Sequence, residues 1–361
     1  MTAPVAGIDP HQDSFTVGII DPTGVELHVE TFTNSACGYV AAIDVLNAHS
    51  VNQIGVEGSA SWGSHVAVAT AAAGFDAREV PPQRSAAQRR QRRLDKTDRV
   101  DAVATARALL AEPSLGPIQA LAAYDPLLAK IEAVLEHRRC LVEARLLMLH
   151  FANDQLAKLP PEIRDQLTTK AKIESRLRAL ETITVPETTA AGSYRLQWLL
   201  DIAAQDRVTL AQIRQLERDL AVLLDEHGTT LRDEVGIGTI GAATLLCEVG
   251  DPFRFSRESK FARWCGTGAV AMSSGEGSGQ PGRHRLDWGG NRRVNSVLYG
   301  ISVTQQRCHE PATTYIKRKT SEGKTRREAR RSHKRMLANR VIRRMWRDEQ
   351  QRQTEQNPAA A

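Results

Sequence analysis

Between residues 5 and 82 the hydrophobic pattern switches period repeatedly, and this limits the fold more than any other feature of the chain. "VAGID", "SFTVGIID" and "VELHVETF" are short, apolar and rich in β-branched residues. They read as three adjacent strands, with "DPTG" turning between the second and third. "CGYVAAIDVLNAH" has helical periodicity, "NQIGVEG" is a further strand, "WGSHVAVATAAAG" a helix, and "DAREVPP" a last strand closed by prolines. The order β-β-β-α-β-α-β predicts a mixed sheet with helical cover. Residues 94–111 then read as a helix ending near Pro113.

Four acids fall at informative places in this pattern. Asp9 closes the first strand, Glu57 closes the fourth, and Asp98 and Asp101 lie three apart on the helix after the sheet. Residues i and i+3 share a helix face. Acids at strand ends and on one helix face can therefore converge at one edge of a sheet. Such a cluster suits Mg²⁺, a hard ion that prefers carboxylate oxygen. Two ions about 3.5–4 Å apart can stabilise the attacking and leaving oxygens of a phosphoryl transfer. A blander reading stays open: strand-end acids often cap turns, and Asp98 and Asp101 could pair with Arg99, Lys96 or Arg107.

The texture changes after Asp125. Leu127, Ile131, Val134, Leu135, Leu141, Val142 and Leu149 recur at three- and four-residue steps, as do Leu196, Leu199, Leu210, Ile213, Leu220 and Leu223. Two long helices joined by a proline-containing stretch predict a helical hairpin, by default a spacer or an oligomer contact. From Asp233 onward, "VGIGTIGAATLLCEVG" carries a Gly-x-Gly turn that fits either a plain tight turn or a helix-hairpin-helix element, whose backbone amides can hold a phosphate. A Gly- and Ser-rich loop at 271–285, a helix with a basic start, and a last helix from Ser321 follow. Leu337, Val341 and Met345 form an apolar stripe on that last helix, with arginines elsewhere on it.

Charge is unevenly spread. The net charge is +6, yet Lys317 to Arg347 alone holds fourteen Lys/Arg and two Glu. The remainder is net negative, so the basic segment is concentrated as expected for a polyanion partner. Five scattered cysteines form no CxxC pair and fit reduced, buried thiols. No signal peptide is visible at "MTAPVAGIDPHQDS", and no apolar run approaches the ~20 residues needed to span a bilayer.

Taken in order, "GIDPHQDSFTVGIID", "GVEGSASWG", "KTDRVDA", "VGIGTIGAATLLCEVGDPFRFSRESKFARWCGTG" and "SSGEGSGQPGRHRLDWGGNRRVN" with the basic tail resemble the DEDD transposases of bacterial insertion sequences. This is the IS110 family, described as bridge-RNA-guided recombinases. The resemblance runs over nearly the whole chain. It implies an α/β ribonuclease-H-like (Holliday-junction-resolvase-like) domain at 1–116 and a helical-hairpin or coiled-coil oligomerisation region at 117–230. It further implies a mostly α C-terminal transposase domain at 231–350 and a disordered tail at 351–361.

The resemblance also implies roles. Asp9, Glu57, Asp98 and Asp101 would be the catalytic, metal-binding tetrad, with Mg²⁺ or Mn²⁺. Ser274, with Ser273 the alternative, would be a nucleophile that links covalently to DNA. From composition alone, "SSGEGSGQPG" reads as a flexible surface linker, and the serine's role comes from the resemblance. A serine hydroxyl needs activation by a base or metal, and the departing strand needs cationic stabilisation. Arg283, His284, Arg285, Arg292 and Arg293 follow closely enough to clamp phosphates. Arg89, Arg90, Arg92 and Arg93, with Arg326, Arg327, Arg330 and Arg331, are the other candidate nucleic-acid contacts. The implied partners are double-stranded DNA at element ends and target, a structured guide RNA, and further copies of the chain as a dimer of dimers. The implied location is the cytoplasm, at the nucleoid, with no membrane partner. Two other functions fit the residues: a metal-only junction nuclease, and a non-catalytic nucleic-acid-binding relic.

Overall fold

The computed structural model describes residues 3–59, 61–92, 95–112, 115–116, 118, 125–168, 171–183, 189–272, 283–286 and 290–356, with the backbone alone at 269–272 and 283–286. The chain packs into two compact units. One comprises Met1–Ala129, Leu246–Asn291 and Ala338–Glu349; the other comprises Lys130–Leu245, Arg292–Leu337 and Gln350–Ala361.

The first unit is built on the sheet that the opening pattern predicts. Strands β1 (Val5–Pro10), β2 (Ser14–Ile20) and β3 (Glu26–Thr33) are followed by α1 (Ala36–Ala48), β4 (Gln53–Glu57), α2 (Ser64–Ala72) and β5 (Asp76–Val80). The spatial order is β3-β2-β1-β4-β5. The β1–β2 and β2–β3 pairs are antiparallel, while β4 runs parallel to β1 and β5 parallel to β4. This is the ribonuclease-H-like arrangement.

Period-two alternation divides the sheet into two faces. Ala6, Ile8, Val17, Ile19, Ile54 and Val56 pack with Ala42, Leu46, Val66 and Ala67 of α1 and α2. Val5, Ile20 and Val80 turn to the opposite face. They meet Val103, Ala106 and Leu109 of a helix that lies across it.

The region after β5 differs from expectation. The prolines do not close the strand into a loop. Pro82 starts a helix, α3 (Pro82–Gln91), because its fixed φ and missing N–H suit the first helical turn. The next helix, α4 (Asp98–Ala111), begins four residues later than the predicted 94. Thr97 sets that start, its hydroxyl accepting from the Val100 N–H at 3.2 Å.

In the second unit, α5 (Pro126–Ala157) and α8 (Ala190–His227) form the expected antiparallel hairpin. Arg138 Nε donates to Glu217 at 2.8 Å, Arg145 Nε to Asp206 at 2.7 Å, and Arg195 Nε to Gln155 at 3.1 Å. The linking stretch holds α6 (Pro161–Arg164) and α7 (Ile173–Ala179), whose Ile163 and Leu177 join Leu149, Leu156, Leu196 and Leu199 in one core. Gly228, at φ +75°, ends α8 in the left-handed conformation that glycine accepts without strain.

The remaining elements are α9 (Thr239–Val249), α10 (Glu258–Trp264), the antiparallel pair β6 (Ala269–Met272) and β7 (Arg283–Leu286), α11 (Arg292–Cys308), α12 (Glu310–Ser321) and α13 (Arg326–Gln356). The single last helix expected from Ser321 is thus two. Gly323, at φ +90°, breaks the chain between them. Thr325 and Glu328 then form a reciprocal capping box: the Thr325 N–H donates to the glutamate at 2.8 Å, and the Glu328 N–H to the threonine hydroxyl at 3.3 Å. Leu337, Val341 and Met345 are buried, as their stripe requires.

Within the first unit, Arg254 lies against the rings of Phe255 and Trp264, 4.8 Å from each centroid, and donates to the Glu248 carbonyl at 3.2 Å. All five cysteines are free, but only Cys247 and Cys265 are buried; Cys37, Cys140 and Cys308 are exposed, because they sit on solvent-facing helix positions.

Candidate functional site

A row of glycines makes the site possible. Gly7 on β1 pairs with Gly18 on β2 and with Gly55 on β4, giving a strip without side chains across three strands. Helix α4 lies directly on that strip. A Cβ on Gly7 would fall 2.2 Å from both the Ala102 carbonyl oxygen and the Ala106 nitrogen, and one on Gly18 would fall 2.9 Å from the Val103 nitrogen. The close approach brings the N-terminus of α4 over the carboxyl ends of β1 and β4.

Asp9 and Glu57 sit at those ends, side by side on neighbouring parallel strands. By strand parity they face α4, as Gly7 and Gly55 do. Asp98 and Asp101 occupy the first turn of α4, where the helix dipole favours negative charge. The sheet thus brings three segments far apart in sequence to one edge.

The electrostatics follow from this crowding. Asp9 is pushed up to about 6, first by burial, against the opposing pull of His11, and then by the charges of Asp101, Glu57 and Asp98. Exposure of the side chains rises outward, from 9% at Asp101 and 12% at Asp9 to 62% at Asp98. The cluster is therefore buried at Asp101 and Asp9 and open to solvent at Asp98.

The simple ion pairs that the sequence allowed are not the ones formed. Arg99 pairs with Glu26, and Arg107 Nε donates to the Gly24 carbonyl at 3.2 Å. The partner of Asp101 is Arg89, reaching across from α3. Ser85, also on α3, donates its hydroxyl to Glu57 and to the Pro82 carbonyl. Neither pairing was legible, because α3 itself was not.

His11 was also missed. Its Nε2 lies 3.4 Å from Asp9 Oδ2 and 3.2 Å from Asp98 Oδ1. The only signal was its place two residues after a strand-end acid in "GIDPHQD". Asp9, His11 and Asp98 each offer a ligand atom, all within 4.8 Å of one another. Asp9 Oδ2 and His11 Nε2 are closed off from solvent and meet each other and Asp98 at ion-pair distance, without a well-formed hydrogen bond. Buried polar atoms left in this state cost stability, so the donor set fits a divalent cation.

The other candidate residues are distributed as follows. Arg90 and Arg92 are exposed at the end of α3, and Arg93 lies outside the described residues. Arg283, His284 and Arg285 belong to β7, while Ser273 and Ser274 lie outside the described residues. Arg292 and Arg293 open α11 and are exposed, with Arg293 paired to Glu136 at 3.3 Å. Arg326, Arg327 and Arg331 are exposed on α13. Arg330 instead packs over the Tyr299 ring, 5.6 Å from its centroid, and donates to Gln306 at 3.2 Å.

Sheet order and acid placement define the class of ribonuclease-H-like, nucleic-acid-processing enzymes. Two family models make this specific. A transposase model of the DEDD IS110 kind matches residues 6–157, and a model described as transposase of the IS116/IS110/IS902 family matches residues 229–317. The chain belongs to the IS110 family of DEDD transposases and is a DNA-processing enzyme. Among solved structures it is similar to T. thermophilus RuvC in complex with a Holliday junction substrate. The match is 18% identical with a TM-score of 0.27, over 32% of this chain and 100% of that one. The fold assignment rests on the strand order rather than on that match. A search of the curated proteins gives no match.

Proposed function

We propose that the protein moves an insertion element by divalent-metal-dependent DNA strand cleavage and exchange, through a covalent link between DNA and Ser274, with a structured bridge RNA as guide. The observation that carries the metal-dependent part is the convergence of Glu57, Asp98 and Asp101 on the buried carboxyl of Asp9. The four acids would hold Mg²⁺ or Mn²⁺. When bound, such ions supply charge stabilisation at the scissile phosphate and its departing oxygen.

The rest falls to the chain's own residues. The Ser274 oxygen bonds to phosphorus as the bond to the departing strand's oxygen breaks, and reversal of that exchange joins a new strand without an external energy source. Arg283, Arg285, Arg292 and Arg293 follow the serine and supply cations for the phosphates. The basic stretches at 84–99 and 317–347 bind DNA or guide RNA through the backbone, which gives salt-dependent affinity. Sequence choice comes from base pairing with the RNA.

The acids of one subunit meet the serine of another in a dimer of dimers, with the α5–α8 hairpin holding subunits in register. Exposed Leu147, Phe151, Val208 and Val222 on that hairpin support this reading. The proposed setting is the cytoplasm, at the nucleoid. Among the described residues no helix is long and apolar enough to cross a membrane.

The test is strand exchange by the purified full chain, with RNA transcribed from the flanking element, with and without Mg²⁺. Expected are metal-dependent exchange and a protein–DNA adduct that disappears in Ser274→Ala. Metal-dependent cleavage with no adduct would make the protein a junction nuclease. Exchange unchanged in both Asp9→Asn and Glu57→Gln would remove the metal-centred reading.

A further inference from the structure

We infer that His11 is a nitrogen ligand of the cation held by Asp9 and Asp98, and that it biases this centre toward Mn²⁺ over Mg²⁺. The inference rests on the metal-centred reading above and extends it to a residue outside the four acids.

Three observations carry it. The first is spacing. His11 Nε2 stands 3.4 Å from one Asp9 oxygen and 3.2 Å from one Asp98 oxygen. Ligands about 2.1 Å from a common octahedral ion are about 3 Å apart along each edge. The observed separations are therefore the size of edges of one coordination shell. The second is isolation. Asp9 is 9% exposed, and its Oδ2 and the His11 Nε2 are both shut off from water, in ion-pair contact with each other but without a well-formed hydrogen bond. By contrast, the two acids next to α3 are engaged, Glu57 by Ser85 and Asp101 by Arg89.

The third is positioning. The turn that carries His11 is held at several points. The His11 N–H donates to the Ser14 carbonyl at 2.8 Å. The Asn34 amide donates to the His11 carbonyl at 2.9 Å and to the Trp62 carbonyl at 3.1 Å. Asn34 is itself fixed by the Tyr39 hydroxyl at 2.7 Å. The His11 side chain is 45% exposed, and an imidazole left free at such a position needs no such support. A ligand does, because its reach must be held to a few tenths of an ångström.

The chemical consequence follows from ligand type. Carboxylate and water suit Mg²⁺, whereas imidazole binds first-row transition metals and discriminates against Mg²⁺. A centre with one imidazole among carboxylates should thus accept both ions with a preference for Mn²⁺.

The experiment is Mn²⁺ binding to the metal-free full chain, read by calorimetry and by pulsed electron paramagnetic resonance, in wild type, His11→Ala, His11→Gln and Asp9→Asn. Thermal unfolding of each variant checks that it is folded. Expected in wild type is a ¹⁴N modulation on bound Mn²⁺ that both His11 variants lose. Their Mn²⁺ affinity should fall about tenfold, with a smaller loss for Mg²⁺. If Mn²⁺ binding depends on Asp9 but shows no ¹⁴N modulation, or if the His11 variants keep the wild-type ratio of Mn²⁺ to Mg²⁺ affinity, His11 is only an ion-pair partner and this inference is overturned, while the metal centre stands. If Asp9→Asn leaves Mn²⁺ binding unchanged, the metal-centred reading fails as well.

Discussion

Gly7 on β1 lies so close to α4 that a Cβ at that position would stand 2.2 Å from the Ala102 carbonyl oxygen. The contact is with backbone, which cannot move aside without shifting the whole helix. Gly55, on the neighbouring strand, differs: its nearest obstacle is a Val80 methyl at 2.7 Å, with only side-chain atoms beyond. Gly7→Ala is therefore expected to cost about 3 kcal/mol of stability and to abolish cleavage by lifting Asp98 and Asp101 from Asp9. Gly55→Ala should cost nearer 1 kcal/mol. Chemical denaturation with a parallel cleavage assay checks this, and equal effects at the two glycines would contradict it.

Arg89 holds Asp101 by an ion pair at the inner side of the acid cluster. A guanidinium there competes with a cation for the same carboxylate. Arg89→Gln should raise the affinity of the DNA-free protein for a divalent cation severalfold. It should also lower stability by about 1–2 kcal/mol, because Asp101 is left buried without its partner. Saturating Mg²⁺ should restore more of that loss in the variant than it adds to wild type. Calorimetric titration and melting with and without Mg²⁺ read both effects; an unchanged metal affinity would show that the arginine does not compete.

These two contacts also mark how far the sequence could be read. The three strand signals, the two later strands, and the placement of Asp9 and Glu57 at strand ends were legible because period-two alternation and strand ends are local patterns. The hairpin was legible for the same reason, from the long three- and four-residue repeat. The glycine strip was not. Gly7, Gly18 and Gly55 each look like ordinary strand glycines, and only the pairing register aligns them under α4. Helix α3 was hidden by its own prolines, which read as a strand stop. Ser85 and Arg89 disappeared with it, as did the start of α4 at Thr97. His11 gave no periodic signal, because a turn residue acquires its role from the fold around it.

Arg254 lies near enough to Glu79 of β5 for the two charges to act on each other. Burial lowers Arg254 to about 10, while the nearby charge of Glu79 opposes that shift. Glu79 is itself raised by burial, with Arg254 acting to lower it. Arg254→Ala should therefore destabilise by about 2–4 kcal/mol, since it leaves Glu79 without its cation and also empties the space beside Phe255 and Trp264. Glu79→Gln in the same background should recover part of the loss by removing the stranded charge. A double-mutant cycle in urea measures the coupling, and strictly additive losses would show that the two residues do not interact.

Asp9 makes the metal-free protein sensitive to pH in a direction unusual for a carboxylate. Its value rises from the ordinary 3.8 to about 6, chiefly through burial, with Asp101, Glu57 and Asp98 adding to the shift. Between those values the folded chain holds a proton that the unfolded chain releases. Stability from this group is thus full below about 4 and is lost as pH climbs through about 6. A shift of this size corresponds to a loss of roughly 2–3 kcal/mol. Asp9→Asn cannot ionise. It should flatten this part of the profile and leave the metal-free protein more stable than wild type at pH 7. Saturating Mg²⁺ should remove the slope in wild type, because a cation replaces the proton among the acids, and should do little for the variant. Urea unfolding from pH 4 to pH 7.5, in chelator and in Mg²⁺, separates the cases. Parallel curves for wild type and Asp9→Asn in chelator would mean that Asp9 is not raised in the folded chain.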